Sequence, residues 1–247
     1  MKKAKKALLL VLCAALLVSA SVMGTVAYLT SQDEVVNSFT VGQVKISLDE
    51  APVNADGEPL RDEPREQANN YHLLPGHYYS KDPQVHVTKG SEDCYVRMFV
   101  TITHDTQWNT ICDNHKGTDE TNLFGAEEMF VGLSKAWTLH EIHKGVAEEN
   151  TRTYEFWYSS KVTEVPDDKN LDLDPLFDGI QMPGELTNED LALLTDNPET
   201  GAVEPDFKIY VVAQAIQADG FADATAAFAA APAITRENLM PTVDTTP

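Results

Sequence analysis

The sequence predicts an all-β chain folded as an antiparallel β-sandwich with one or two short peripheral helices. Runs of alternating apolar and polar residues recur along it, and alternation at period two puts one side of an extended strand into a core. Turns containing Gly and Pro separate the runs, as at Pro75-Gly76 and Lys89-Gly90-Ser91. Helical patterning is confined to short stretches. About eight strands at irregular spacing suit a sandwich better than alternating strand–helix units.

The chain opens on Lys2, Lys3, Lys5 and Lys6, followed by an apolar run from Ala7 to Met23. A basic stretch, an apolar stretch and small residues at Thr25 and Ala27 make a secretory signal over residues 1–27. Cleavage after Ala27 starts the mature chain at Tyr28. The alternative is a retained anchor, since Ala7 to Leu29 approaches the ~20 apolar residues that span a bilayer. Ser19, Ser21 and Gly24 weaken that run, so the membrane is expected only as a transient partner. Residues 28–40 then form an arm in which Tyr28, Leu29, Val35, Val36 and Phe39 are apolar.

The main domain is expected over residues 41–231, beginning with a strand in which Val41, Val44, Ile46 and Leu48 alternate. Glu50 to Asn70 has no apolar period and reads as a long exposed loop. Tyr71 to Leu74 is a short strand, and Gln84 to Thr88 a second. Cys94 to His104 is the strongest, with Val96, Met98, Val100 and Ile102 on its core face and Tyr95, Arg97, Phe99, Thr101 and Thr103 on the other. Residues 105–133 form an insertion with a short helix around Phe124 to Val131. Alternation resumes from Ala136 through Ile142 and again over Thr153 to Tyr158, which together read as a hairpin. Leu176 to Ile180 is a short strand, and Thr187 caps a helix over Asn188 to Thr195. Asp206 to Gln217 is apolar on both faces and therefore central. Ala222 to Ala231 is an Ala-rich helix, and residues 232–247 a flexible, frayed tail.

Composition excludes some partners. The 247 residues carry a net charge of -21. Removing the four signal lysines takes the mature chain to about -25, which repels nucleic acid and anionic lipid alike. Export permits a disulfide, but the spacing of Cys94 and Cys112 decides between a bridge and buried thiols no better than evenly. No Cys-x-x-Cys is present, so neither a zinc knuckle nor a redox pair is supported.

Gly24-Thr25-Val26-Ala27-Tyr28-Leu29-Thr30, an acidic pair, and Asn37-Ser38-Phe39-Thr40-Val41-Gly42 together cross the cleavage point and run into the first strand. This stretch resembles the export signal of the TasA/camelysin family of Gram-positive bacteria. Leu74-Pro75-Gly76, Lys81-Asp82-Pro83, Gly90 to Arg97 and Ala213 to Phe221 extend the resemblance to the middle and end of the domain. The resemblance implies processing by the dedicated signal peptidase SipW and a jelly-roll-like arrangement of the sandwich. It also implies a structural role in the extracellular matrix or at the cell surface. There, biofilm-type fibres would form as the arm of one subunit adds a strand to the next. The apolar arm and its freeing by cleavage fit such self-association, for which the acidic surface would have to be screened or neutralised.

The competing implication is a camelysin-like secreted metalloendopeptidase. Helical zinc proteases need His-Glu-x-x-His, whereas this chain has His140-Glu141-Ile142-His143 in a predicted strand. Residues three apart on a regular strand point to opposite faces, so a shared metal would require a bulge. Asp168, Asn170, Asp172 and Asp174 alternate as calcium ligands do, but Leu173 and Gly179 stand where an EF-hand needs Gly and Glu. A looser calcium loop is the weaker reading there, and a solvated acidic loop the preferred one. No catalytic or metal-binding residue is therefore assigned. A surface-binding module is a third, weaker option. Neither a Leu-Pro-x-Thr-Gly motif nor a C-terminal apolar tail points to covalent wall anchoring.

Overall fold

The computed structural model describes residues 30–33, 44–54, 56–60, 62–69, 71, 73–115, 129–163, 165–195 and 207–241. Among the described residues strands take up 35% and helices 17%, so this part is mostly β, with antiparallel sheets and four short helices. The strands are β1 (Thr30–Asp33), β2 (Ile46–Asp49), β3 (Tyr78–Ser80), β4 (Gln84–Val87), β5 (Cys94–Thr103) and β6 (Phe130–Val131). They continue as β7 (Trp137–Lys144), β8 (Thr151–Tyr158), β9 (Leu171–Asp172), β10 (Gly179–Gln181) and β11 (Ile209–Gln217). The helices are α1 (Asp105–Asn114), α2 (Asn188–Thr195), α3 (Ala224–Ala230) and α4 (Arg236–Leu239).

One five-stranded sheet, ordered β1-β11-β5-β8-β7, dominates. Two three-stranded sheets, β3-β10-β6 and β2-β4-β9, share a single apolar core with it. Val96, Met98, Val100 and Ile102 project into that core as the alternation predicts, and all four are buried. Val85 and Val87 of β4, Ile180 of β10 and Ile46 of β2 meet them there. Truncating a buried residue of this size typically costs 2–5 kcal/mol, so this cluster holds the sheets together.

The opposite face of β5 is covered too, which alternation alone could not reveal. Arg97, Phe99 and Thr101 are buried beneath the C-terminal segment. Asp223 caps α3 by accepting from the Ala226 amide at 2.9 Å, and the small Ala side chains let this helix lie close against the sheet. Phe228 and Ala227 of α3 pack on Ile216. The tail beyond Pro232 is not frayed through residue 241. Thr235 and Asn238 form a capping box that starts α4, and Leu239 is buried against Phe99 and Ala147.

Other expectations shift by a few residues or fail. The strand expected at Tyr71 to Leu74 lies instead at β3, where Tyr79 turns into the core. Gly57 makes room for it. At φ 74° it adopts a backbone that suits glycine, and a Cβ there would stand 2.5 Å from the Tyr79 ring. Leu176 and Phe177 are buried ahead of β10 rather than within it. The insertion carries α1, whose Trp108 and Ile111 sit three apart and are buried. The helix expected near Phe124 falls largely on residues 116–128, outside the described set, and Phe130–Val131 is a strand. Glu50 to Asn70 is irregular, as expected, but anchored: Arg65 pairs with Asp49, and with Asp82 at 2.8 Å.

Cys94 and Cys112 are buried thiols and form no disulfide. Burial, with Asp93 adding to it, pushes the Cys94 thiol up to about 12. Because the thiolate is the reactive form, Cys94 is expected to resist a thiol reagent at pH 8 until the chain unfolds. Rapid labelling of Cys94 in the native protein would contradict this packing.

Candidate functional site

The two edges of the five-stranded sheet are built differently. At one edge, β11 runs nine residues, but β1 pairs with only part of it. Thr30, Ser31, Gln32 and Asp33 stand opposite Ile216, Ala215, Gln214 and Ala213. Among the described residues, Ile209 to Val212 pair with β5 alone. Four residues make a weak strand: each hydrogen bond nets ~1 kcal/mol, while ordering a residue costs ~1–2 kcal/mol. Among the described residues this edge is therefore long, apolar and paired over four of its nine positions. β1 is the described part of the arm. Tyr28, Leu29, Val35, Val36 and Phe39, with Thr25, Ala27 and the whole of 1–27, lie outside the described residues.

The opposite edge, β7, is guarded. Its pairing with β8 shifts register between Leu139 and Glu141, a bulge that leaves His140 over. Glu141 and Lys144 are exposed along it. Bulges and charges are how sheets blunt an edge against further strands. Among the described residues the sheet thus has one partly unpaired edge and one bulged, charged edge.

A polar row crosses the sheet beneath α3 and runs to the β11 edge. Gln214 stands opposite Gln32 on one side and Arg97 on the other. Arg97 Nε donates to Gln214 Oε1 at 2.8 Å, and Arg97 Nη1 to Glu155 Oε1 at 2.9 Å. Trp157 Nε1 donates to the same Glu155 oxygen at 2.6 Å, and His143 Nε2 lies 2.9 Å from the other. Phe99 and Phe228 flank the guanidinium at 4.9 and 4.5 Å. Burial opposes ionisation of Glu155, but Trp157, His143 and Arg97 together hold its carboxyl below the usual range. Burial also draws Arg97 down, with Glu155 resisting. The row borders a cleft of about 390 Å³ lined by Phe228, Ile234 and Leu239.

The sequence hinted at this row only through Arg97, a charge in an otherwise apolar strand. Its partners Glu155 and Gln214 are likewise polar residues in apolar strands, but they lie far along the chain and nothing local ties the three together. His140 and His143 do not lie on opposite faces. The bulge sends His140 onto the Trp157 ring, 3.7 Å between centroids, on the same face as Glu155. Glu141, His143 and Glu155 have ligand atoms within 4.8 Å of one another. Among the described residues no other such group of His, Cys, Asp and Glu converges, so Asp168, Asp172 and Asp174 stay apart. Asn170 instead accepts from the Lys89 amide, and Asp172 Oδ1 lies 2.6 Å from His86 Nδ1.

His86 is not a solvated strand residue, since its Nε2 also lies 2.9 Å from Asp49 Oδ1. Burial lowers its basicity, but the hydrogen bonds and charges of Asp172 and Asp49 outweigh this and raise it. A raised folded value means the pairing contributes fully below the unfolded value of ~6.5 and fades as pH rises through the folded one. The urea midpoint is therefore expected to fall between pH 6 and 8 in the native chain and to change less in His86→Gln. Identical pH profiles would contradict the bridge.

No family model, curated protein or solved structure matches this chain. Among the described residues, no helix is long and apolar enough to cross a membrane.

Proposed function

We propose that this chain is an exported structural protein of the TasA/camelysin type, released by a SipW-type signal peptidase after Ala27. It assembles at the cell surface or in the matrix into biofilm-type fibres, the segment from Tyr28 of one subunit adding a strand to the β11 edge of the next. The observation that carries this reading is that, among the described residues, β1 pairs with four of the nine residues of β11. A segment that sits so lightly on its own sheet is readily exchanged for the same segment of a neighbour. Continued past Asp33, the register of a donated strand would set Val35 against Val211 and Val36 against Tyr210. The shared core of the three sheets supports the finer fold, a jelly-roll-like sandwich.

The competing reading, a camelysin-like metalloendopeptidase, draws on the Glu141, His143 and Glu155 group. Glu155 there already serves Arg97, Trp157 and His143, so a zinc ion would have to displace existing bonds. The test is to secrete the chain from a Gram-positive host, take its intact mass, and examine the purified product by electron microscopy and a protease assay. The proposal expects a start at Tyr28, filaments, and no peptide cleavage. Stoichiometric zinc with chelator-sensitive proteolysis lost in His143→Ala would establish the other reading.

A further inference from the structure

We propose that Lys81, Asn69 and Glu50 form a self-crosslinking site, in which Lys81 Nζ attacks the Asn69 carboxamide and joins the two residues by an isopeptide bond. The site lies where the 50–70 loop meets the connection between β3 and β4, and it is independent of how the chain assembles.

Glu50 directly follows β2 and Lys81 directly follows β3, and they are only 5% and 7% exposed. Lys81 Nζ donates to Glu50 Oε2, and Asn69 Nδ2 donates to Glu50 Oε1 at 2.9 Å. One carboxylate thus holds an amine and a carboxamide side by side and bonds both nitrogens between which protons must pass. The Asn69 amide has a fixed orientation. Its Oδ1 accepts from the Val53 amide at 3.0 Å, while Nδ2 also donates to the Ala51 carbonyl at 3.0 Å. Turning it over would set donor against donor and acceptor against acceptor. The Val53 N–H therefore polarises the carbonyl and meets the oxyanion that attack creates. Backbone bonds brace the loop: Glu50 and Glu66 exchange a pair at 2.8 Å, and the Ala51 amide donates to Asp82 Oδ1 at 2.6 Å. Tyr71 lines the site, its ring centroid 6.0 Å from Nζ.

Burial disfavours an ion pair, and passing one ammonium proton to Glu50 leaves two neutral groups. The amine attacks Asn69 Cγ once its flexible stem brings Nζ to about 3–3.5 Å. The Nζ–Cγ bond forms, Glu50 relays a second Nζ proton to Nδ2, and the Cγ–Nδ2 bond breaks. One Nζ proton stays on the new amide. The other two leave with the Asn69 nitrogen as ammonium, and Glu50 ends as the carboxylate it began as.

The test is the intact mass of the purified, folded mature chain, followed by trypsin digestion and fragmentation of the peptides. The chain is expected to weigh about 17 Da less than its sequence, the one ammonia lost in acyl transfer to the lysine. Trypsin does not cut at an acylated lysine, so one peptide over residues 66–89 is expected to carry that loss, uncut at Lys81. Lys81→Arg and Asn69→Ala are expected to restore the full mass. Glu50→Gln keeps both reactants without the proton relay and is expected to stay at the full mass as well. The parent chain decides the proposal even where a variant fails to fold. A folded parent at the full mass of its sequence, or an ammonia loss on a peptide still cut at Lys81, overturns it. Linkage that persists in a folded Glu50→Gln chain overturns the role given to Glu50.

Discussion

Replacing Glu155 by alanine is expected to cost about 3–5 kcal/mol of folding stability, the penalty for leaving a buried charge without its partner. Arg97 is 8% exposed and Glu155 4% exposed. Glu155 is the only carboxylate with a hydrogen bond to that guanidinium among the described residues, and the remaining surroundings are Gln214 and the rings of Phe99 and Phe228. Glu155→Gln keeps an acceptor for Arg97 and for Trp157, so its cost is expected to be smaller. The pair Arg97→Met with Glu155→Leu removes both charges and is expected to recover most of the loss, since apolar isosteres often match a buried ion pair. Denaturant unfolding of these three variants beside the parent measures this. Acid adds a second signature: a depressed carboxyl contributes above the unfolded value of ~4.3 and loses that contribution as pH falls through the folded one. A Glu155→Ala variant within 1 kcal/mol of the parent would contradict the packing of this row.

Deleting Tyr28 to Val36 from the mature chain is expected to abolish filament growth while leaving the fold in place. The described core cluster draws on β2, β4, β5, β8, β10 and β11, so the domain retains its main stabilisation. The truncated chain can still accept a strand at β11 but has none to give. In a head-to-tail assembly such a molecule terminates growth. Adding it below equimolar amounts to full-length chain should therefore shorten filaments in proportion, as seen by light scattering and microscopy. A donated strand gains ~1 kcal/mol net per backbone hydrogen bond and ~2 kcal/mol per large apolar side chain buried. Against this stands ~1–2 kcal/mol per residue ordered. The balance is small, so growth should depend steeply on concentration and on screening of the acidic surface. Truncated chain that polymerises as readily as the parent would refute donation by this segment.

Much of the fold was legible because period-two alternation is local. The long strands β5, β8 and β11 appear within a few residues of where their patterns place them, and Thr187 does cap α2, its Oγ1 accepting from the Asp190 amide at 3.2 Å. Long-range covering was not legible. The burial of Arg97, Phe99 and Thr101 depends on helices more than a hundred residues away, and nothing in β5 announces them. Helix α1 was not legible because Asp, Thr, Gln and Asn dilute its apolar face to Trp108, Ile111 and Cys112. The bulge at His140 is likewise silent in sequence, yet it reverses the face on which that histidine lies. The light cover on β11 was foreseeable only as an apolar arm preceding the first strand.

The central claim is that the strand at the β11 edge can come from another molecule. Chains carrying only Ser31→Cys are mixed with chains carrying only Ala215→Cys, under assembling conditions, and oxidised. These positions face one another in the observed pairing, and the buried Cys94 thiol, pushed up to about 12, stays out of the reaction. Donor-strand assembly predicts a disulfide-linked heterodimer containing one chain of each kind, growing with polymer mass. Filaments that form without that heterodimer would contradict the account.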